Sequence, residues 1–176
     1  MNNKIIYNLS PELFAKEDNI LNFNERLATA KIEIPETPPK GGIYTQAKEF
    51  GEGLVYLSGC GPDINGNTFK RGRVGSDLTF EEGQEAAKNC ALNLLAVLKS
   101  AVGDLDRVKS FVKLLVLVSS DNGFYRQPET ANAASQLLID LFGDEIGCAA
   151  RSAIGVNVLP DNIPVEIEAI VELKSK

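Results

Sequence analysis

Side chains able to do acid–base and ion-binding chemistry gather near the C-terminus, in the stretch CAARSAIGVNVLPDNIPVEIEAIVEL (residues 148–173). Two strand-like runs there carry one arginine, Arg151, and two glutamates, Glu166 and Glu168. A guanidinium can bind a carboxylate through two parallel hydrogen bonds, and it stays charged when it is desolvated. A partly buried glutamate has a raised pKa and can pass protons to and from a water molecule. These residue types therefore suit a site that binds a carboxylate and activates water.

The alternation of the two runs predicts which of these side chains share a face of the sheet. We expect Arg151, Ala153 and Gly155 to point to the same side as Glu166 and Glu168. The apolar positions expected to pack on helices are Ile154, Val156, Val158, Ile167, Ala169 and Val171. On spacing alone, a cross-strand ion pair between Arg151 and one glutamate is the simpler interpretation, and the carboxylate clamp stays open beside it.

The composition excludes several classes of catalytic and binding site. The 176 residues include no histidine, which excludes Ser-His and Cys-His nucleophile pairs and every histidine-ligated metal site. The net charge is −6, and no basic stripe of the kind that binds nucleic acid is present. The three cysteines have no metal-ligand spacing, and we find no secretory signal, so free thiols in a cytoplasmic protein are expected.

The elements that would position these residues form a simple series. Residues 1–34 are predicted as an N-terminal helical extension, with a helix start at Ser10-Pro11, and residues 35–176 as one domain. Two strands, IYTQAKEF and LVYLSG, are expected to form a hairpin, followed by a long loop over residues 60–78. Helices are predicted from a capping box at Thr79 and from Pro128, each closed by a glycine. The order β-β-α-β-α-β-β predicts an α+β fold, a single mixed β-sheet with two helices packed on one face.

Several separated motifs resemble one known family. GGIYTQA, LVYLSGCGP, ARSAIGVNVLP and VEIEAIVEL are similar to the Rid family, also called the YjgF family. The run from GRVGSDLTFEEG to VLVSS, and NAASQLL after it, resemble the subgroup labelled chorismate-mutase-like or endoribonuclease-like. The resemblance runs from about residue 35 to the C-terminus, in order and without large gaps. It implies the same fold, assembled as a homotrimer with clefts between subunits.

The resemblance also implies an activity and its residues. Known members hydrolyse reactive enamines and imines such as 2-aminoacrylate to a 2-keto acid and ammonia, without a metal or cofactor. By position, Arg151 matches the arginine that binds the substrate carboxylate, and Glu166 the residue that activates water. The other matching pocket residues are Tyr44, Ser58, Gly59, Asn132 and Ala153.

Alternatives stay open at this point. Ala153 stands where deaminase members commonly have cysteine, and "AAR" stands where the subgroup often has "HAR". A non-catalytic trimeric protein that binds a small carboxylate, or a stress-related interaction protein, is therefore an alternative to the deaminase. An endoribonuclease is less compatible with the acidic chain. Taken singly, Tyr44 is also typical of an edge strand and Asn132 of a solvated helix position.

Overall fold

Five strands form one mixed sheet within residues 22–175, the part of the chain that the computed structural model describes. The strands are β1 (Ala47–Phe50), β2 (Leu54–Cys60), β3 (Val108–Ser119), β4 (Ala150–Val156) and β5 (Val165–Leu173). Their order in the sheet is β1-β2-β5-β3-β4, with β3 and β4 parallel and the other neighbouring pairs antiparallel. β3 lies inside the sheet, as its apolar residues on both faces predict.

Helices cover one face of this sheet. They are α1 (Phe23–Ala30), α2 (Phe80–Val102), α3 (Gln127–Phe142) and the single turn α4 (Asp144–Gly147). α2 begins at the predicted capping box, in which the Thr79 hydroxyl accepts from the Glu82 amide and the Glu82 carboxylate accepts from the Thr79 amide. The predicted α+β fold with two long helices on one face is confirmed.

The N-terminal helix shares the core of the domain. α1 begins with a capping box between Asn22 and Glu25, and the Phe23 ring stacks at 4.7 Å from the Phe142 ring of α3. The predicted helix start at Ser10 lies outside the described residues, and the domain boundary at residue 34 stays a prediction. Within the described residues, α1 packs against the sheet's own helical layer rather than apart from it.

The first strand is shorter than the sequence predicts. It begins at Ala47 rather than at Ile43, and the Ile43 side chain is fully exposed. The segment before it is attached to β2 by side-chain as well as backbone bonds, since the Ser58 hydroxyl donates to the Thr45 carbonyl at 2.8 Å. The turn to β2 contains Gly51 and Gly53, both with positive φ, as a tight hairpin requires.

β5 follows the predicted alternation. Ile167, Ala169 and Val171 of β5 are buried under the helices, and their partners on β3 are buried with them. Glu166 and Glu168 point to the opposite face, which we call the open face of the sheet. The assignment of Glu166 to a face without helices is therefore correct.

β4 has the opposite orientation to the predicted one. Arg151 and Ala153 pair with the buried Leu114 and Val116 of β3, so they lie on the helix face, whereas Ile154 lies on the open face and is 48% exposed. The prediction that Arg151 and Ala153 share a face with Glu166 is wrong. The physical reason is that this face of the edge strand meets polar groups of α3, which bind the Arg151 side chain and lie close to Gly155. A Cβ atom on Gly155 would lie 2.8 Å from the Gln127 side-chain nitrogen.

None of the helices in residues 22–175 has the length and hydropathy that crossing a membrane requires.

Candidate active site

The Arg151 guanidinium is held against α3 by three neutral acceptors. Its Nη1 donates to the Ser135 hydroxyl at 2.8 Å. Its Nη2 donates to the Pro128 carbonyl and to the Asn132 side-chain oxygen, both at 3.0 Å. We call Arg151, Asn132 and Ser135 the arginine cluster. These three bonds use three of the five N–H donors of the guanidinium and leave two without a partner in residues 22–175.

The charge of Arg151 is not neutralised by any carboxylate in residues 22–175. The ion pairs there join Lys70 to Glu82, Arg71 to Asp63, Lys109 to Glu172 and Arg126 to Glu129. Burial lowers the pKa of Arg151, and the nearby Cys148 thiol opposes that shift. A partly desolvated cation with free donors and only neutral partners among the described residues is a place where an anion is stabilised.

Glu166 lies against the backbone of β2. The site of a Cβ atom on Gly59 would be 2.1 Å from Glu166 Oε1, so the carboxylate occupies space that only a glycine at residue 59 leaves open. No ion pair of the described residues involves Glu166. Burial raises its pKa, and the negative charge of Glu168 raises it further. A half-buried carboxylate with a raised pKa is suited to exchange protons with a bound water.

Glu168 differs from Glu166 because it has a partner. The Tyr56 hydroxyl donates a short hydrogen bond to Glu168, and this bond raises the pKa of Tyr56. The two side chains border a shallow hollow of about 200 Å³ on the open face, together with Lys113 and Ile170. Of the two glutamates, Glu166 is thus the one whose carboxylate is available to a ligand or a water.

Two other predicted residues, Ser58 and Gly59, lie beside Glu166 in the fold. Ser58 and Gly59 are consecutive in β2, and Ser58 binds the segment that carries Tyr44 through the carbonyls of Thr45 and Gln46. Tyr44 is 44% exposed and accepts a long hydrogen bond from the Gly41 amide at 3.4 Å. We call Ser58, Gly59 and Glu166 the glutamate cluster, with Tyr44 on the adjoining segment.

The two clusters do not meet within one chain. Arg151 lies on the helix face of the edge strand β4, and Glu166 lies on the open face of β5, two strands away. Their positions also differ by three residues along the strands, so their Cα atoms are separated by about 14 Å. The cross-strand ion pair between Arg151 and a glutamate is therefore excluded, and so is one small ligand touching both in a single chain.

Sequence reasoning missed Ser135. It predicted Asn132 from the resemblance, but the serine three residues later contacts the same guanidinium. Pro128, Asn132 and Ser135 follow the spacing i, i+4, i+7, which places them on one stripe of a helix. That stripe was a usable signal, although it became informative only once Arg151 was known to face α3.

The thiols near the two clusters differ in exposure. Cys60 is 4% exposed, and burial, with a smaller effect of Glu166, raises its pKa to about 12. Cys148, close to Arg151 in sequence, is exposed. Among the described residues no group of three or more His, Cys, Asp or Glu side chains is arranged to hold a metal ion.

Comparison with known proteins identifies the family. Residues 24–173 match the family described as "YjgF/chorismate mutase-like, putative endoribonuclease". The chain belongs to the YjgF family. The match begins within α1 and ends at the last residue of β5, so it includes both clusters.

Individual known proteins are similar over most of the chain. Protein TCP17 of Trypanosoma cruzi is 44% identical over 121 residues, which are 69% of this chain and 76% of that protein. The 2-iminobutanoate/2-iminopropanoate deaminase of Dermatophagoides farinae is 28% identical over 81% of this chain and 95% of its own length. The crystal structure of Atu1372 from Agrobacterium tumefaciens is 35% identical and superposes with a TM-score of 0.79, covering 86% of this chain and 92% of that one.

Proposed function

We propose that this protein hydrolyses small enamine and imine carboxylates of the 2-aminoacrylate type to a 2-keto acid and ammonia. The observation that supports this best is the Arg151 guanidinium, which is partly desolvated, held by neutral groups and not neutralised by a carboxylate of the described chain. Such a group binds a carboxylate of a ligand. The family relative from Dermatophagoides farinae, which is named as a deaminase for imino acids of this class, supports the same substrate class.

The proposed site is assembled between copies of the chain. Arg151 and Glu166 lie on opposite faces of the sheet, so a ligand that contacts both needs Arg151 from one copy and Glu166 from another. The open face exposes apolar side chains, among them Tyr56 and Ile154, that association would cover. We propose a homotrimer, the assembly that the resemblance implies. The free cysteines support a cytoplasmic location.

The proposed reaction needs only groups that the chain supplies. The enamine first takes a proton on its terminal carbon and becomes the imine, whose central carbon is electrophilic. Arg151 binds the carboxylate and fixes that carbon, while the Glu166 carboxylate takes a proton from water as the oxygen bonds to the carbon. Glu166 then returns the proton to nitrogen and takes the proton of the new hydroxyl as the C=O bond forms, the C–N bond breaks and ammonia leaves the 2-keto acid. Glu166 finally releases this proton to solvent, which balances the proton that the enamine carbon took from solvent.

The remaining predicted residues would border this ligand. Asn132 orients Arg151, and Ser58, Gly59 and Tyr44 lie on the side of Glu166. Ala153 follows Arg151 on the same face of β4 and is partly buried, so it offers no reactive group where relatives commonly have cysteine. The mechanism does not use a thiol at that position, and the small side chain would widen the pocket beside the clamp.

The test is pyruvate release from 2-aminoacrylate generated in the assay by a pyridoxal-phosphate-dependent serine dehydratase. We expect the wild-type protein to accelerate release above the spontaneous rate. Arg151→Ala should lose the acceleration by about a hundredfold or more, since it removes a charged, bidentate contact. Lys99→Ala, which removes an equal charge from the exposed end of α2, is the control and should stay active.

Two outcomes would contradict the proposal. Equal rates with and without the wild-type protein would exclude this activity. If calorimetry then still detected pyruvate binding that depends on Arg151, the protein would be a carboxylate-binding member without turnover.

A further inference from the structure

One stripe of α3 supplies every hydrogen bond that Arg151 makes through its guanidinium in residues 22–175. The acceptors are the Pro128 carbonyl, the Asn132 side-chain oxygen and the Ser135 hydroxyl. All three are neutral, so they orient the cation without cancelling its charge. A carboxylate at any of these positions would form an ion pair with Arg151 and compete with a ligand.

The three bonds are divided unequally between the two terminal nitrogens. Pro128 and Asn132 both bind Nη2, while Ser135 alone binds Nη1 among the described residues. The two contacts on Nη2 hold that nitrogen in place, but they still allow the guanidinium plane to rotate about it. The contact on the second nitrogen fixes the plane of the guanidinium and therefore the direction of its free donors.

We propose that Ser135 is the positioning residue that sets the orientation of Arg151 for a ligand carboxylate. This inference rests on the proposed function for the identity of the ligand, but the orientation of Arg151 is testable without any ligand. Ser135 acts through Arg151 and does not itself touch the reacting atoms. Its hydroxyl is partly buried against the edge strand, where solvent competes less for the bond than at an exposed site.

The kinetic consequence is a change in binding rather than in chemistry. Ser135→Ala should raise KM for the imine about tenfold, the loss for one hydrogen bond to a charged group, with kcat changed less than about twofold. Ser135→Thr keeps the hydroxyl and should restore most of the affinity. Ser100→Ala, an equal truncation at an exposed position on α2, is the matched control and should match the wild type.

The structural consequence is visible in the nitrogen NMR spectrum of the guanidinium. In the wild type, bonds on both terminal nitrogens slow rotation about the Nε–Cζ bond, so Arg151 should show two separate Nη signals at low temperature. In Ser135→Ala these signals should merge, while Ser135→Thr and Ser100→Ala should keep them separate. The signal of Arg151 is assigned by its loss in Arg151→Lys.

The two readouts separate this inference from the proposed function. Unchanged Nη signals together with an unchanged KM or pyruvate affinity in Ser135→Ala would overturn the positioning role. Absence of turnover in the wild type would overturn the proposed function alone, because the NMR comparison still decides whether Ser135 orients Arg151. A drop in thermal stability beyond that of Ser100→Ala, with KM and Nη signals unchanged, would assign Ser135 a purely structural role.

Discussion

The arginine cluster and the glutamate cluster hold their charged side chains in place by different means. Arg151 is surrounded by three hydrogen-bond acceptors of α3 and is fixed in direction. Glu166 is placed by close packing, because its carboxylate lies where a side chain on Gly59 would otherwise be. Hydrogen bonds to a helix thus position Arg151, whereas the absence of a side chain on Gly59 of β2 leaves the space that Glu166 occupies.

This difference explains why the two charges do not cancel. A chain that needed an ion pair for stability would place the two groups in contact, as it does for Arg71 and Asp63 at 2.6 Å. Instead, the sheet separates Arg151 from Glu166, and neither is paired with an opposite charge in residues 22–175. The comparison therefore predicts that the two clusters act together only across an interface.

The largest effect should come from mixing two inactive proteins. Arg151→Ala and Glu166→Gln should each have turnover reduced to background, since each lacks one essential group. If a site takes its arginine and its glutamate from different copies, unfolding and refolding an equal mixture should restore about a quarter of wild-type activity, because about one site in four then has both groups. The measurement is pyruvate release before and after refolding.

The refolded single variants are the controls for this mixture and should stay inactive. No recovery in a mixture that has assembled normally would mean that both groups come from one chain. The separation of the two clusters within the chain would then have to close by a conformational change.

The next largest effect is a difference in alkylation rate between the thiols near the two clusters. Cys148 is exposed, whereas Cys60 is buried with a pKa raised to about 12, so little thiolate forms there at neutral pH. Iodoacetamide at pH 8 should therefore modify Cys148 at least about a hundredfold faster than Cys60. Peptide mass spectrometry measures both rates in one sample. In urea, which unfolds the protein and exposes both thiols, the two rates should become similar.

A fast reaction at Cys60 in the native protein would contradict the packing of the glutamate cluster. It would mean that the β2 segment beside Glu166 opens to solvent often.

Gly59→Ala should disturb the glutamate cluster and leave the arginine cluster intact, with a smaller effect than the changes above. The added methyl group displaces the Glu166 carboxylate, which lies 2.1 Å from the Cβ position, but leaves Arg151 untouched. We expect kcat to fall by about thirtyfold, within the range for a misplaced general base, with a small change in carboxylate affinity. Gly123→Ala is the control, since the nearest atom to its Cβ position is at 3.5 Å. An unchanged kcat would remove Glu166 from the mechanism.

The sequence predicted the elements of this fold better than the orientation of one of them. Capping residues and helical spacing defined α2 and α3, and the alternation in β5 placed Glu166 correctly, because β5 is central and its apolar side must face the helices. β4 is an edge strand whose alternating sides are both mildly apolar. Its orientation was decided by the close approach of α3 to Gly155 and by the polar stripe that receives Arg151, and both are tertiary contacts.

The candidate residues were likewise only partly predictable. Motif resemblance named Arg151, Asn132 and Glu166, but it gave no means of seeing that they divide between two faces. Ser135 was missed because a serine within a helix carries no signal until its partner is known. Gly59 was named for its backbone, whereas its contact with Glu166 depends on a β-bulge between β2 and β5 that alternation does not show.

The smallest effect concerns stability, and its sign follows from the raised pKa of Glu166. A carboxyl group with a higher pKa in the folded state than in the unfolded state favours folding when protonated and opposes it when ionised. Stability contributed by the protonated form is therefore present below the ordinary glutamate pKa of 4.5 and is lost as pH rises through the folded value. Glu166→Gln, which is always neutral, should raise Tm by about 2 °C at pH 7.5, with the gain vanishing near pH 4.

Thermal unfolding of Glu166→Gln across this pH range checks the sign, with Glu52→Gln, in the exposed β1–β2 turn, as the control that should show no gain. A gain that did not depend on pH would mean that the glutamine stabilises by packing or hydrogen bonding. A loss at neutral pH would mean that a cation of another copy pairs with Glu166 in the unliganded assembly. Arg151 is a partly desolvated cation without a carboxylate partner in residues 22–175. Repeating the measurement in the Arg151→Ala background would therefore test whether it is that cation, because the loss should then become the gain expected of an unpaired, half-buried carboxylate.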